Sequence, residues 1–386
     1  MTEIREIPFA RPNITEDDRK AVLRVLDGHV LTHGPEGKAF EAEFAAFMGP
    51  DAHAVTVSSC MAALHLAYLH LGVGPGDEVI VPAQTHAAAA HAVEWVGARP
   101  VFVDCDPATG NVTVERIAPA LTDRTKVISV VHYAGIPCAM PDIVTLAQER
   151  GLKVVEDCAI SIGTRWDGRH VGLFGDIGCF SFYPVKHITT GEGGMFVSRH
   201  AAVTEAVARL RAFGVDRTHT ERTVPGMYDV PTLGLNYRMS ELQAALGRSQ
   251  TQRLGTILRV RRAHFRALQK ALAGIEDLRV IDTAEPAAES SFYCLTAVLQ
   301  GPLAGKRNEA VARLNAAGVG TSVYYPQPVP RMTYYRKKYG EDAARYRNAA
   351  EISDQSIALP VGPHLGDDDI RYVAETVSAV MEGLRS

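Results

Sequence analysis

The sequence predicts an α/β protein: a large domain with a mostly parallel sheet sandwiched by helices, followed by a smaller α+β C-terminal domain. Three observations carry this. Short Val- and Ile-rich runs alternate with helix-like segments up to about residue 240. Each run is short and rich in Val and Ile, as expected of strands covered on both faces. After that point the rhythm changes, with fewer strand signals and longer helical stretches. The spacing predicts a large domain over residues 1–250, including an N-terminal arm, and a small one over 251–386.

In chain order, AVTVSS (54–59) reads as a strand and AALHLAYLHLG as the helix after it. GDEVIVPA (76–83) and RPVFVDCD (99–106) are strands separated by the helix AAAAHAVEWVG. TKVISVVHY (125–133) and LKVVEDC (152–158) are strands separated by a helix through IVTLAQERG. GDIGCFSFY and GGMFVS are two more strands, and they flank Lys186. From SELQAALG onward one long helical stretch follows, broken only by Gly247 and Gly255, which bridges to the C-terminal part. There SFYCLTAVL and TSVYY read as strands, and KRNEAVARLNAAG and DDDIRYVAETVSAVMEGL as helices.

The 386 residues suffice for two domains, and 46% hydrophobic with 22% charged residues is an ordinary globular balance. A formal net charge of −4 supplies no electrostatic reason to expect nucleic acid or an anionic membrane as a partner. No apolar run approaches the roughly 20 residues that span a bilayer. The start, MTEIREIPFARPNITEDD, has neither the basic nor the apolar part of a signal peptide, so a cytoplasmic location is expected. The six cysteines lack paired spacing and read as reduced, mostly buried side chains. No clustered ligand set of a zinc site is present.

Ligands of open α/β sheets bind beyond the carboxyl ends of the strands, and three loops there carry chemistry. Ser58-Ser59-Cys60-Met61 leads straight into a helix, whose free N–H groups favour phosphate, although an ordinary serine cap has the same look. Glu156-Asp157 ends a buried strand, where an acid is costly without a cation; a protonated pyridine nitrogen would suit, as would a turn cap. Lys186 lies between an aromatic strand and the turn Gly191-Glu192-Gly193-Gly194. Apolar flanks place its amine in a cleft, where desolvation lowers the pKa and frees it to condense with an aldehyde. Together the loops would supply a phosphate cradle, a pyridinium partner and a Schiff-base amine.

These residues sit in blocks that resemble the DegT/DnrJ/EryC1/StrS sugar aminotransferases, which have the aspartate-aminotransferase fold and use pyridoxal 5'-phosphate (PLP; fold type I). The resemblance runs from LTHGPEGKAFEAEFAAFMG (31–49) through VVEDCAISIGT, FSFYPVKHITTGEGGMF and LGLNYRMSELQAALG to SIALPVGPHL (356–365). It implies that Lys186 forms the Schiff base and shuttles the proton, that Asp157 pairs with the pyridine nitrogen, and that His86 stacks on the ring. It further implies that Ser59, Cys60, Met61 and Ser181 hold the phosphate. Asn236 matches a residue that reaches the phosphate of the other subunit, which implies a homodimer with shared sites. Arg238 is a candidate for the donor's carboxylate, a structural ion pair being the alternative, and His187 is a candidate substrate contact.

The pattern departs from the family in three places. Ser59-Cys60-Met61 stands where Ser-Gly-Thr is common, so Met61 offers no hydroxyl. Ile160 stands in place of a glutamine expected near the cofactor's phenolic oxygen, and Ile162 in place of a common histidine. The related dehydratases carry histidine instead of the lysine; here Lys186 survives beside His187, which favours transamination. The expected reaction moves an amine from an amino acid, L-glutamate by resemblance, to a keto sugar, most often a nucleotide-linked keto-deoxysugar. The alternatives are a PLP-binding protein of dehydratase or regulatory type and, from strand pattern alone, a dehydrogenase, which lacks the G-x-G-x-x-G turn. The stretches 211–230 and 324–340 are candidate substrate-facing loops with no readable code.

Overall fold

The computed structural model describes residues 5–216, 224, 226–340 and 343–385. Its first half alternates strand and helix: β1 (His53–Val57), α3 (Cys60–His70), β2 (Glu78–Pro82), α4 (Ala87–Trp95) and β3 (Arg99–Val103), preceded by α1 (Glu16–Leu26) and α2 (Pro35–Met48). The short α5 (Val114–Ile117), β4 (Thr125–Val131), α6 (Met140–Glu149) and β5 (Lys153–Asp157) follow. After the small ribbons β6 (Arg165–Trp166) and β7 (Arg169–His170) come β8 (Ile177–Ser181), β9 (Gly194–Ser198) and α7 (Ala201–Leu210). Seven strands form one sheet in the order β1-β9-β8-β5-β4-β2-β3, in which β9 alone runs against its neighbours.

Both faces of this sheet are covered. Val79 and Val81 enter one core cluster with the side chains of α3 and α4, while Ile80 between them enters another with Ile143 and Leu146 of α6. That alternation along one strand is why consecutive positions in the sequence runs are apolar. Helix α3 is buried on nearly every side, and its residues Leu64, Leu66, Ala67 and Tyr68 are fully enclosed.

Past α8 (Glu241–Thr251) and α9 (Leu254–Leu272) the chain builds β10 (Leu278–Val280), β12 (Leu295–Leu299) and β13 (Ser356–Leu359) into a three-stranded antiparallel sheet, with β11 (Ala288–Glu289) pairing β6 between them. Side chains of α9, α10 (Arg307–Ala316) and α13 (Asp367–Arg385) pack on that sheet together with Ile7. Between them, α11 (Thr333–Tyr339) and α12 (Arg347–Gln355) return to the large sheet, where Tyr325, Val329, Tyr335 and Ile352 join the cluster around Val79 and Val81.

Two sequence expectations change. The helical stretch after residue 240 breaks at Gln252-Arg253, between α8 and α9, and at neither glycine. Gly247 lies inside α8 because a Cβ there would sit 2.6 Å from the Phe40 ring and 2.8 Å from Thr190; its role is close packing against α2. TSVYY is not a strand: only Ser322 makes a ladder contact, to Ala358.

Candidate active site

The carboxyl ends of β1, β5 and β8 open onto one cleft. At the end of β1 the chain turns into α3, with Ser59 as N-cap; its hydroxyl accepts the Ala62 N–H at 3.0 Å and its carbonyl the Ala63 N–H at 3.1 Å. The amides of Cys60 and Met61 are left without an acceptor among the described residues, the normal state of a helix start and the basis of its affinity for anions. Gly194 of β9 presses against this turn: a Cβ there would lie 2.5 Å from the Ser59 carbonyl carbon and 2.7 Å from the Cys60 nitrogen. Ser181 pairs across the ladder with Gly194, which brings its buried hydroxyl beside the same turn.

Asp157, the last residue of β5, is 5% exposed and has no cationic partner within ion-pair distance among the described residues. Oδ1 accepts the Ala159 N–H at 3.0 Å and lies 3.8 Å from the Cys60 thiol. Burial pushes its carboxyl above the usual range, against the Ala159 amide and the charges of Lys186, His86 and His132, which pull it down. Lys186 is half-buried in the loop after β8, its amine 5.5 Å from the centre of the Tyr293 ring. Burial draws its ammonium below the ordinary lysine range, while Cys60, Asp157 and Cys294 oppose this. His86 caps α4, its Nδ1 accepting the Ala88 N–H at 3.1 Å, and the exposed ring meets Tyr325 edge-on at 5.8 Å. Desolvation lowers its pKa, and it senses both Asp157 and Lys186. Lys186, Asp157, His86, Ser59, Cys60, Met61 and Ser181 are thus gathered in one place.

The other candidates lie elsewhere. Asn236 is exposed, and its side chain makes no hydrogen bond among the described residues; the following Tyr237 carbonyl accepts the Ser58 N–H at 2.8 Å. Arg238 stacks on the Phe213 ring at 4.8 Å, with no carboxylate partner among the described residues. Desolvation and the nearby Arg211 lower its pKa. His187 is 4% exposed and turns away from the cleft toward the Ser291 carbonyl at 3.3 Å. Burial holds its pKa well below the usual value. Of the loop 211–230, residues 217–223 and 225 lie outside the described residues.

Sequence reasoning included Tyr324 of the C-terminal wall within the candidate stretch 324–340 but missed Tyr293 and Arg261. Tyr293 carries both Lys186 and, 5.9 Å from its centre, Arg261, and its hydroxyl is 2.8 Å from that of Tyr324. Tyr293 and Arg261 lie in segments read only as a strand and a helix, which carry no motif.

The seven-stranded order with one antiparallel strand, and a cleft at the strand ends, is the fold type I architecture of PLP-dependent enzymes. A solved structure of Spr1654 from Streptococcus pneumoniae in its PLP form superposes with a TM-score of 0.91 at 29% identity, covering 98% of this chain and 100% of that one. The chain belongs to the DegT/DnrJ/EryC1/StrS aminotransferase family, whose model matches residues 12–378. It is 36% identical over 362 residues to the UDP-N-acetyl-3-dehydro-alpha-D-glucosamine 3-aminotransferase of Acidithiobacillus ferrooxidans, covering 93% of this chain and 92% of that one. It is 33% identical over 381 residues to GDP-perosamine synthase of Escherichia coli O157:H7, covering 97% and 98%. It is therefore a PLP-dependent sugar aminotransferase. The residues present fit that cofactor: an open amide pair for its phosphate, a buried acid lacking a cation among the described residues, and an amine whose pKa burial lowers.

Proposed function

We propose that the protein moves an amine from an amino acid, L-glutamate, to the keto group of a nucleotide-linked sugar. The convergence of Lys186, Asp157 and the open start of α3 in one cleft carries this reading, and the two nucleotide-sugar enzymes it resembles support the substrate class. Bound PLP would supply an electron sink that stabilises a carbanion at the substrate carbon.

Each residue then has a stated task. The amides of Cys60 and Met61, with the hydroxyls of Ser59 and Ser181, hold the phosphate. Asp157 would pair with the ring nitrogen and favour its protonated form, and the His86 ring, fixed by the Ala88 N–H to Nδ1, would stack on the cofactor ring. Lys186 Nζ would attach the cofactor and, once released, serve as the proton carrier of the site, a role suited to an amine whose pKa burial has brought down. Arg238 receives the donor's carboxylate, consistent with its lack of an acidic partner. Replacing Lys186 with Ala is expected to abolish the visible band of lysine-bound cofactor and reduce amine transfer by about a thousandfold or more, with the fold intact. A wild-type protein whose spectrum is unaltered by borohydride would exclude Lys186 as the attachment point.

Asn236 works on the site of a second copy in this proposal. The exposed apolar residues Phe213, Met227, Tyr228, Val230 and Leu233 surround its segment and favour a homodimer there. Mixing Lys186→Ala with Asn236→Ala, each inactive alone, should restore roughly a quarter of wild-type activity through hybrid dimers holding one intact site. No recovery after subunit exchange would mean that sites are not shared. Among the described residues, no helix is long and apolar enough to cross a membrane.

A further inference from the structure

Cys60 is the first residue of α3. Its side chain is buried and points at Asp157, with Sγ 3.8 Å from Oδ1. The same oxygen accepts the Ala159 N–H at 3.0 Å. Oδ2 has no donor among the described residues. The two oxygens of one carboxylate are therefore treated differently: one is held, one is left open. A thiol at this distance can only donate to a carboxylate, and burial beside Asp157 keeps it protonated by pushing its pKa well up.

We propose that Cys60 is a positioning residue: its S–H and the Ala159 N–H grip Oδ1 from two directions, so that Oδ2 is the oxygen turned toward the ring nitrogen of the bound cofactor. The proposal rests on Asp157 being the partner of that nitrogen. A glycine in place of Cys60 would leave the carboxylate with one donor and freer to rotate about its last torsion. The bland account, a small apolar side chain filling space under the turn, predicts that Ala serves as well as Cys.

The contact can be read first in the cofactor-free protein. Infrared difference spectra between wild type and Cys60→Ser isolate the S–H stretch of Cys60. That band should lie below the position of an unbonded thiol and rise to it in Asp157→Ala. Titration with PLP forms the second arm. Cys60→Ala should bind roughly three- to tenfold more weakly, the scale of one hydrogen bond from a weak donor to an ionised group, and Cys60→Ser should recover most of the loss. A wild-type band already at the unbonded position overturns the proposal, as does equal affinity for wild type and Cys60→Ala, or equal loss in Ala and Ser. Undiminished PLP binding by Asp157→Asn would remove the underlying reading of Asp157 instead, and it leaves the thiol band unaffected as a separate observation.

Discussion

Glu156 and Asp157 are consecutive at the end of β5, so their side chains leave opposite faces of the sheet. Glu156 is fully enclosed, and every oxygen is engaged. Oε2 takes the Gly172 N–H at 2.7 Å and His132 Nε2 at 3.0 Å, and Oε1 takes the amides of Phe174 and Gly175 at 2.9 and 2.7 Å. His132 Nδ1 accepts the Cys138 N–H, so its Nε2 bears the proton given to Glu156. Asp157, equally buried from solvent, keeps Oδ2 free and lacks a cation among the described residues. A buried acid with all its acceptor sites filled holds the framework together. One with an oxygen left open is available to a partner that is not part of the chain.

The sharpest way to break this comparison is to truncate both acids. Glu156→Ala strands three backbone amides and a histidine in the interior, and should cost about 3–5 kcal/mol in denaturant unfolding. Asp157→Ala removes a desolvated charge with few partners and should leave unfolding unchanged or slightly harder, while PLP affinity falls roughly a hundredfold. The contrast collapses if the two variants melt alike. A smaller effect is expected at Gly194, where a methyl group would collide with the Ser59 and Cys60 backbone. Gly194→Ala should lose about 1–3 kcal/mol and displace the phosphate-binding turn. Calorimetric titration should therefore show cofactor affinity dropping along with the melting temperature.

The smallest effect concerns pH. The folded chain depresses the Lys186 pKa below its unfolded value, chiefly by desolvation, so the unfolded state binds more protons between the two values. The cost of burying the ammonium is therefore greatest below the folded pKa and fades as pH rises to the ordinary lysine range. Lys186→Met in the cofactor-free protein should be more stable than wild type at neutral pH, with the gain shrinking toward pH 10–11. A gain that grows with pH would contradict the sign.

Much of this architecture was readable in advance, for identifiable reasons. The large-sheet strands announced themselves because burial on both faces favours short Val- and Ile-rich runs; β2 through β5 fall within the stretches that pattern marked, and β1 begins one residue before its stretch. Lys186 and Asp157 were legible because their flanks are so unlike a surface charge. The break at Gln252-Arg253 was not, since neither residue is a helix breaker, whereas Gly247 looked like one and is there for contact with Phe40. Likewise TSVYY has strand-forming side chains, but its two tyrosines pack into an aromatic wall and only Ser322 joins a ladder. Cys60 was visible as a departure, and only coordinates could say that its sulfur reaches Asp157.

The sheet order has a consequence for how the protein is made. β1 is the first strand to leave the ribosome, yet its sole partner in the sheet is β9, and α3 with its N-terminal turn hangs from β1. At about 5–20 residues per second, β9 follows roughly ten seconds behind. During that interval the nascent chain holds an unpaired β1 and a helix α3 that lacks its contacts with β8 and β9. Chaperone shielding would matter most in this window, and cofactor capture must wait until it closes.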